Sequence, residues 1–149
     1  MAIFRDHPYE GSNFLVDLGN GDPHDIRSTF IRVELPEAII DEVAYRSGNE
    51  KTNESRKQPG LAKYSHLNLM RGLLGSTDLW DWWTQARQGQ PNVDRTVVVT
   101  LLDEERSPVW TWRFRNAFPV NYRIAPLDAG RSDIVMEELT LTFDSMDIE

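Results

Sequence analysis

Cysteine is absent from the 149 residues, which excludes disulfides, thiol nucleophiles and thiolate metal sites together. No apolar run approaches the roughly 20 residues of a membrane-spanning helix, so no stable membrane anchor is expected. The opening Met-Ala-Ile-Phe-Arg-Asp-His-Pro lacks the apolar core of a secretory signal. Positive charge is scarce: 16 Lys and Arg stand against 24 Asp and Glu, a net charge of −8. That balance suits no dedicated nucleic-acid clamp, which needs clustered cations to neutralise phosphates. Histidine occurs three times, as His7, His24 and His66, and none belongs to a metal-binding motif such as H-E-x-x-H. No nucleophile elbow, Walker loop or dinucleotide fingerprint occurs, and Gly72-Leu73-Leu74-Gly75-Ser76 lacks the lysine of a phosphate loop. Catalytic residues, bound cofactors and metal ligands are therefore expected to be none.

What is present is the 40% apolar and 27% charged composition of an ordinary globular chain. It points to one soluble acidic domain over residues 1–149. Apolar residues mostly recur with period two. Phe14, Val16 and Leu18 share one face over 12–18, and strand periodicity returns over 28–34, 39–46, at Leu67 and Leu69, and over 93–103. Residues 108–116 alternate Trp110, Trp112 and Phe114 with Thr111, Arg113 and Arg115, and 133–146 reads as one long final strand. Asp103, Glu104 and Glu105 fall in the expected turn between two strands and read as a solvated charge run.

One helix is expected over 77–88. Ser76 or Thr77 caps its start, Asp78 and Asp81 complement its dipole, and Gly89 with Pro91 ends it. Leu79, Trp82, Trp83 and Ala86 form its packing stripe. Residues 47–63 carry no apolar periodicity and read as a loop, long enough to be functional or solvated.

The expected fold is mainly β: two packed antiparallel sheets, as a barrel or sandwich, with one flanking helix. Five tryptophans allow two readings, a core between helix and sheet or a surface covered by a partner. Arg113 and Arg115 on one strand, with Glu138, Thr140 and Thr142 on another, keep one face wet. That face suits the outside of a monomeric barrel or the wall of an oligomeric pore.

Several ordered pieces resemble one family. They are Asn13-Phe14; Val43-x-Tyr45-Arg46-x-Gly48-Asn49-Glu50; Lys57-Gln58-Pro59-Gly60-Leu61-Ala62-Lys63-Tyr64; and Leu67-x-Leu69-Met70-Arg71-Gly72. Ser76-Thr77-x-Leu79-Trp80-x-Trp82, Trp112-Arg113-Phe114-Arg115-Asn116-Ala117-Phe118-Pro119 and Glu137-Glu138-Leu139-Thr140-Leu141 follow. Together they resemble the major tail tube proteins of contractile-tailed bacteriophages and the inner tube proteins of phage-tail-like contractile injection systems.

The resemblance implies a structural subunit that self-assembles into stacked homo-hexameric rings, a conduit for cargo protein or DNA. Implied partners are a surrounding sheath protein and baseplate, spike and terminator proteins. Assembly would take place in the bacterial cytoplasm, into an injection particle or virion tail. Contacts between rings or subunits then fall on Arg46, Asn49, Glu50, Arg56, Lys57, Pro59, Lys63 and Tyr64. Two alternatives stay open: a tube-initiating or terminal-ring paralogue, and a small-ligand-binding β-barrel. The 19–26 segment looks lengthened relative to the family's opening hairpin.

Overall fold

The computed structural model describes residues 2–20, 22–49, 51 and 54–149. They form β1 (Phe14–Asp17), β2 (Arg32–Glu34), β3 (Ala38–Tyr45), β4 (Arg56–Tyr64), β5 (Leu67–Gly72), α1 (Asp78–Arg87), β6 (Arg95–Leu102), β7 (Pro108–Ile124), β8 (Met136–Thr142) and β9 (Ser145–Ile148). A single 3₁₀ turn, Ile26–Ser28, precedes β2. The strand expected over 28–34 therefore keeps only its last three residues. The contacts divide the chain into two compact units, one built from 1–35 and 66–149 and the other from 36–65.

In the larger unit the strands follow the order β1-β6-β7-β8-β5-β2, with β9 paired to β7, all antiparallel. β7 belongs to two layers. Residues 108–117 pair with β6 and β9, and 118–124 pair with β8. Val16, Val97, Val99 and Phe114 from one layer and Leu67, Leu69, Leu139 and Leu141 from the other are buried in a single core. This is the expected pair of packed antiparallel sheets with one helix. It is not closed into a barrel, because β1 and β2 end the path.

The strand expected over 108–116 continues to Ile124 through extra residues that shift its phase. Between Phe114 and Ala117, β7 spends three residues against two of β6, with Asn116 at φ 54°. Phe114 and Ala117 consequently both face the core, and simple alternation breaks there. The expected single strand over 133–146 is two, β8 in one layer and β9 in the other. The chain crosses at Asp144, whose carboxylate accepts from Asn116 Nδ2 at 2.8 Å and whose amide donates to the Arg115 carbonyl at 3.0 Å.

Helix α1 packs along β7 and ends at Gly89, whose φ of 66° suits glycine in a helix-terminating turn. Thr77 occupies the N-cap, but its hydroxyl donates to Asp81 Oδ2 at 3.0 Å instead of capping the backbone.

Candidate functional site

The smaller unit is a two-stranded antiparallel hairpin, β3 with β4. This corrects the loop expected over 47–63: its second half is strand. The strand expected over 39–46 is β3, whereas alternation is invisible over β4 because it is half-buried only at Gly60 and Tyr64 and otherwise exposed. A strand with no buried side has nothing to select apolar residues at every second position.

β-Branched Ile39, Ile40 and Val43 favour the extended backbone, and one extra residue on β4 bulges it opposite Asp41. Gly60 sits in that bulge, where a Cβ would lie 2.6 Å from the Asp41 carbonyl oxygen, so only glycine fits. At the hairpin base, Ser65 N donates to Glu37 O at 3.1 Å and Glu37 N donates to Ser65 Oγ at 2.7 Å.

The pleat sorts the side chains into two faces. Ile39, Val43, Tyr45, Gln58 and Lys63 lie on one, and Ile40, Ala62, Tyr64 and Lys57 on the other. Both faces thus mix apolar and charged groups. Ile40 is 63% and Leu61 82% exposed. Lys57 pairs with Glu42 at 3.7 Å and Lys63 with Asp41 at 3.0 Å.

Register places the contact candidates in one strip. Arg56 lies opposite Tyr45, Lys57 opposite Ala44, Pro59 opposite Glu42, Lys63 opposite Ile39 and Tyr64 opposite Ala38. Arg46 and Asn49 follow β3 directly, and Glu50 lies outside the described residues. A two-stranded hairpin is marginal in water by itself, so this one has the composition of an element that another surface completes.

In the larger unit, the helix-packing candidates divide by burial. Leu79 and Trp82 are 1% exposed, and Trp82 Nε1 donates to the Val93 carbonyl at 2.9 Å while the Arg95 guanidinium lies over its ring. Burial there lowers the Arg95 pKa. Ala86 and Trp83 are half-buried. Trp83 stacks on exposed Trp80 with centroids 5.1 Å apart, and Trp80 meets Tyr122 edge-on at 5.4 Å.

A buried ionic network anchors α1 to the sheet. Arg71 on β5 and Glu137 on β8 are cross-strand partners, fully enclosed, and form a salt bridge. Arg71 also donates to Asp78 at the helix start and to the Arg27 carbonyl, and the Tyr122 hydroxyl donates to Glu137 at 2.7 Å.

Burial acts to lower the Arg71 pKa, but the hydrogen bonds it donates to Asp78 and Glu137 outweigh it and raise the pKa above its ordinary value. At Asp78 burial acts upward, yet Arg71 and Ser76 hold the carboxyl below the usual range. Burial, then the hydrogen bond to Glu137, pushes Tyr122 up to about 12. Sequence reasoning missed this network, although the signal exists: Arg71 is in phase with Leu67 and Leu69, and Glu137 with Leu139 and Leu141.

The wet strand faces carry ladders. Arg113 bonds Glu149 and Arg115 bonds Asp147 across β7 and β9. Asn68 bridges Glu34 and Thr140 across β2, β5 and β8 at 3.2 and 2.7 Å.

Among the described residues no helix is long and apolar enough to cross a membrane. The model of the family described as T4-like virus tail tube protein gp19 matches residues 11–147. A comparison with curated protein sequences finds no match. Among the solved structures that contain similar chains, three hold chains 25% identical to this one. One is in the anti-feeding prophage baseplate, with 97% of each chain covered and a TM-score of 0.80. Another is in the sheath–tube complex of an extracellular contractile injection system, PVC, in its extended state, covering 97% of this chain and 93% of that one with a TM-score of 0.79. A third is in the PVC sheath/tube terminator, covering 97% and 98% with a TM-score of 0.82.

Proposed function

The chain belongs to the T4-like virus tail tube protein family, and from that premise we propose that it is a structural subunit of a contractile particle's inner tube. Copies assemble into hexameric rings that stack into a conduit for cargo protein or DNA, inside a sheath and between a baseplate and a terminator. The subunit performs no catalysis; its work is assembly in the bacterial cytoplasm into a phage tail-like particle.

One observation carries this reading. The β3–β4 hairpin is exposed on both faces, and Ile39, Ile40, Val43, Tyr45 and Leu61 stand in water. Exposed apolar area of that kind, ringed by charge, marks an interaction surface. Arg46, Asn49, Glu50, Arg56, Lys57, Pro59, Lys63 and Tyr64 are the contact residues in this reading. The position of β1 and β2 at the two ends of the strand path supports it, since a terminal strand offers an edge to another chain and ring closure hides it.

Negative-stain microscopy of the purified protein tests the proposal, with rings or tubes as the expected result. A species that stays monomeric at high concentration and binds no sheath or baseplate protein overturns it. Reversing charge at Lys57 and Lys63 together removes two exposed pairs worth about 0–1 kcal/mol each. The melting temperature should change little while ring stacking or ring closure fails; normal tubes from the double variant would remove the hairpin from the interface. The similarity to a chain of a sheath/tube terminator structure favours a second reading, a terminal-ring subunit. Quantitative mass spectrometry of particles distinguishes many copies from a single ring.

A further inference from the structure

The amino-terminal strap presents an apolar side chain to water between anchored neighbours. Ile3 N donates to the Val109 carbonyl at 2.9 Å, and the Tyr9 hydroxyl donates to the Ile3 carbonyl at 2.9 Å. Arg5 forms a two-pronged pair with Glu104 at 2.8 and 3.0 Å, donates to the carbonyls of His7 and Pro8, and lies over the Tyr9 ring. Between these anchored neighbours Phe4 is 95% exposed, with Ile3 at 51% beside it. Anchoring the chain on both sides of a solvent-exposed benzyl group gains that group no burial, so the strap has the form of a preorganised binding knob.

The strap sits where β7 begins, at Val109. At the other end of β7, the segment leading to β8 arches over a hollow of about 810 Å³ whose apolar lining includes Ala125, Pro126, Leu127, Ile134 and Val135. Ala125 N donates to the Met136 carbonyl and Leu73 N to the Val135 carbonyl, both at 2.9 Å, which fixes the mouth of the arch. Leu127 is 80% and Ile134 77% exposed. The hollow exceeds one aromatic ring and has room for Phe4 together with Ile3.

Charge agrees with the fit. Asp6, beside the knob, has its side chain 97% exposed and touches its neighbour His7 Nδ1 with one oxygen at 3.0 Å, leaving the other carboxylate oxygen toward solvent. Arg131 on the rim is 73% exposed and reaches its neighbours Asp128 and Asp133 only at 4.0 and 3.8 Å, leaving guanidinium donors for an incoming carboxylate.

We propose that Phe4 of one copy inserts into the Leu127–Ile134 hollow of a second copy, with Asp6 meeting Arg131. Knob and hollow lie at opposite ends of one strand, so the contact joins unlike surfaces and propagates head to tail instead of closing a pair. Resting on the tube reading above, we assign it to the junction between successive rings. In that assignment the edges of β1 and β2 serve neighbours within a ring and the strand ends meet the ring above or below.

The absence of cysteine makes the test clean. Phe4→Cys and Ile134→Cys variants, each changed at an exposed position, are mixed and treated with a short bis-maleimide. Mixed covalent dimers are expected, with little product from either variant alone, and the doubly substituted chain should give a ladder of multimers. Phe4→Ala should raise the concentration needed for tube growth about ten- to hundredfold, as removal of one buried aromatic does, while rings persist. Absence of the mixed dimer, or tubes from Phe4→Ala at the wild-type threshold, overturns the contact. Wild-type protein that forms no rings at all overturns the tube reading instead, and the mixed cross-link then reads the contact in the soluble protein.

Discussion

Replacing Arg71 by methionine isolates the most consequential interaction in the sheet. Arg71 is fully buried, and its cross-strand partner Glu137 is 1% exposed. The substitution keeps most of the side-chain volume but leaves Glu137 with the Tyr122 hydroxyl at 2.7 Å in place of a full countercharge. Asp78 loses its partner too, but its side chain is 31% exposed and can hydrate. Stranding one member of a buried pair costs about 3–5 kcal/mol. For a chain of this size each kcal/mol lowers the melting temperature by about 2–4 °C, so a fall of about 6–20 °C is expected by calorimetry.

Two controls give the result its meaning. Arg113→Met breaks a pair whose side chains are 34% and 42% exposed, and should cost about 0–1 kcal/mol. Adding Glu137→Leu to Arg71→Met removes the stranded charge, so the double variant should be more stable than the two single losses predict, by about 2 kcal/mol or more. An Arg71→Met loss no larger than that of Arg113→Met, or strict additivity in the double variant, refutes the reasoning that burial sets the magnitude.

Two further outcomes follow from the same core. The Tyr122 phenol titrates near 12 in the folded protein against an ordinary value of 10.0, so its contribution to stability is complete below pH 10 and is lost as pH rises toward 12; urea titrations should show that alkaline decline, and Tyr122→Phe should flatten it. Trp82→Ala opens a cavity beneath α1 and forfeits the bond to Val93, and thermal unfolding should report about 3–5 kcal/mol, whereas Trp80→Ala at an exposed ring should cost far less.

The parts of the fold most legible in the sequence are those with one buried side. Leu67 and Leu69, or Leu139 and Leu141, alternate because every second position meets the core. α1 is legible from its stripe and its glycine terminator, and its observed span lies one residue inside the expected one at each end. Within the β3–β4 hairpin, β3 was legible from Val43 and Tyr45, but β4 was hidden: exposed on both faces, Arg56–Tyr64 had no pattern to show. β7 lost its pattern where extra residues shift the phase, and the run after Met136 changes layer at Asp144 without any local signal of where it breaks.

The sequence by itself determined the β-rich class, the helix and its packing stripe, and the exclusion of thiol and disulfide chemistry, because composition and short-range periodicity respond to burial directly. Tertiary structure alone decided which distant residues meet. Arg71 finds Glu137 across 66 positions because β5 and β8 are neighbours, and Phe4 stands at the opposite end of β7 from Ile134 because the strap is pinned at Val109 and Glu104. Such pairings depend on strand order and register, set by the closing of the whole sheet, and no local stretch of sequence carries that information.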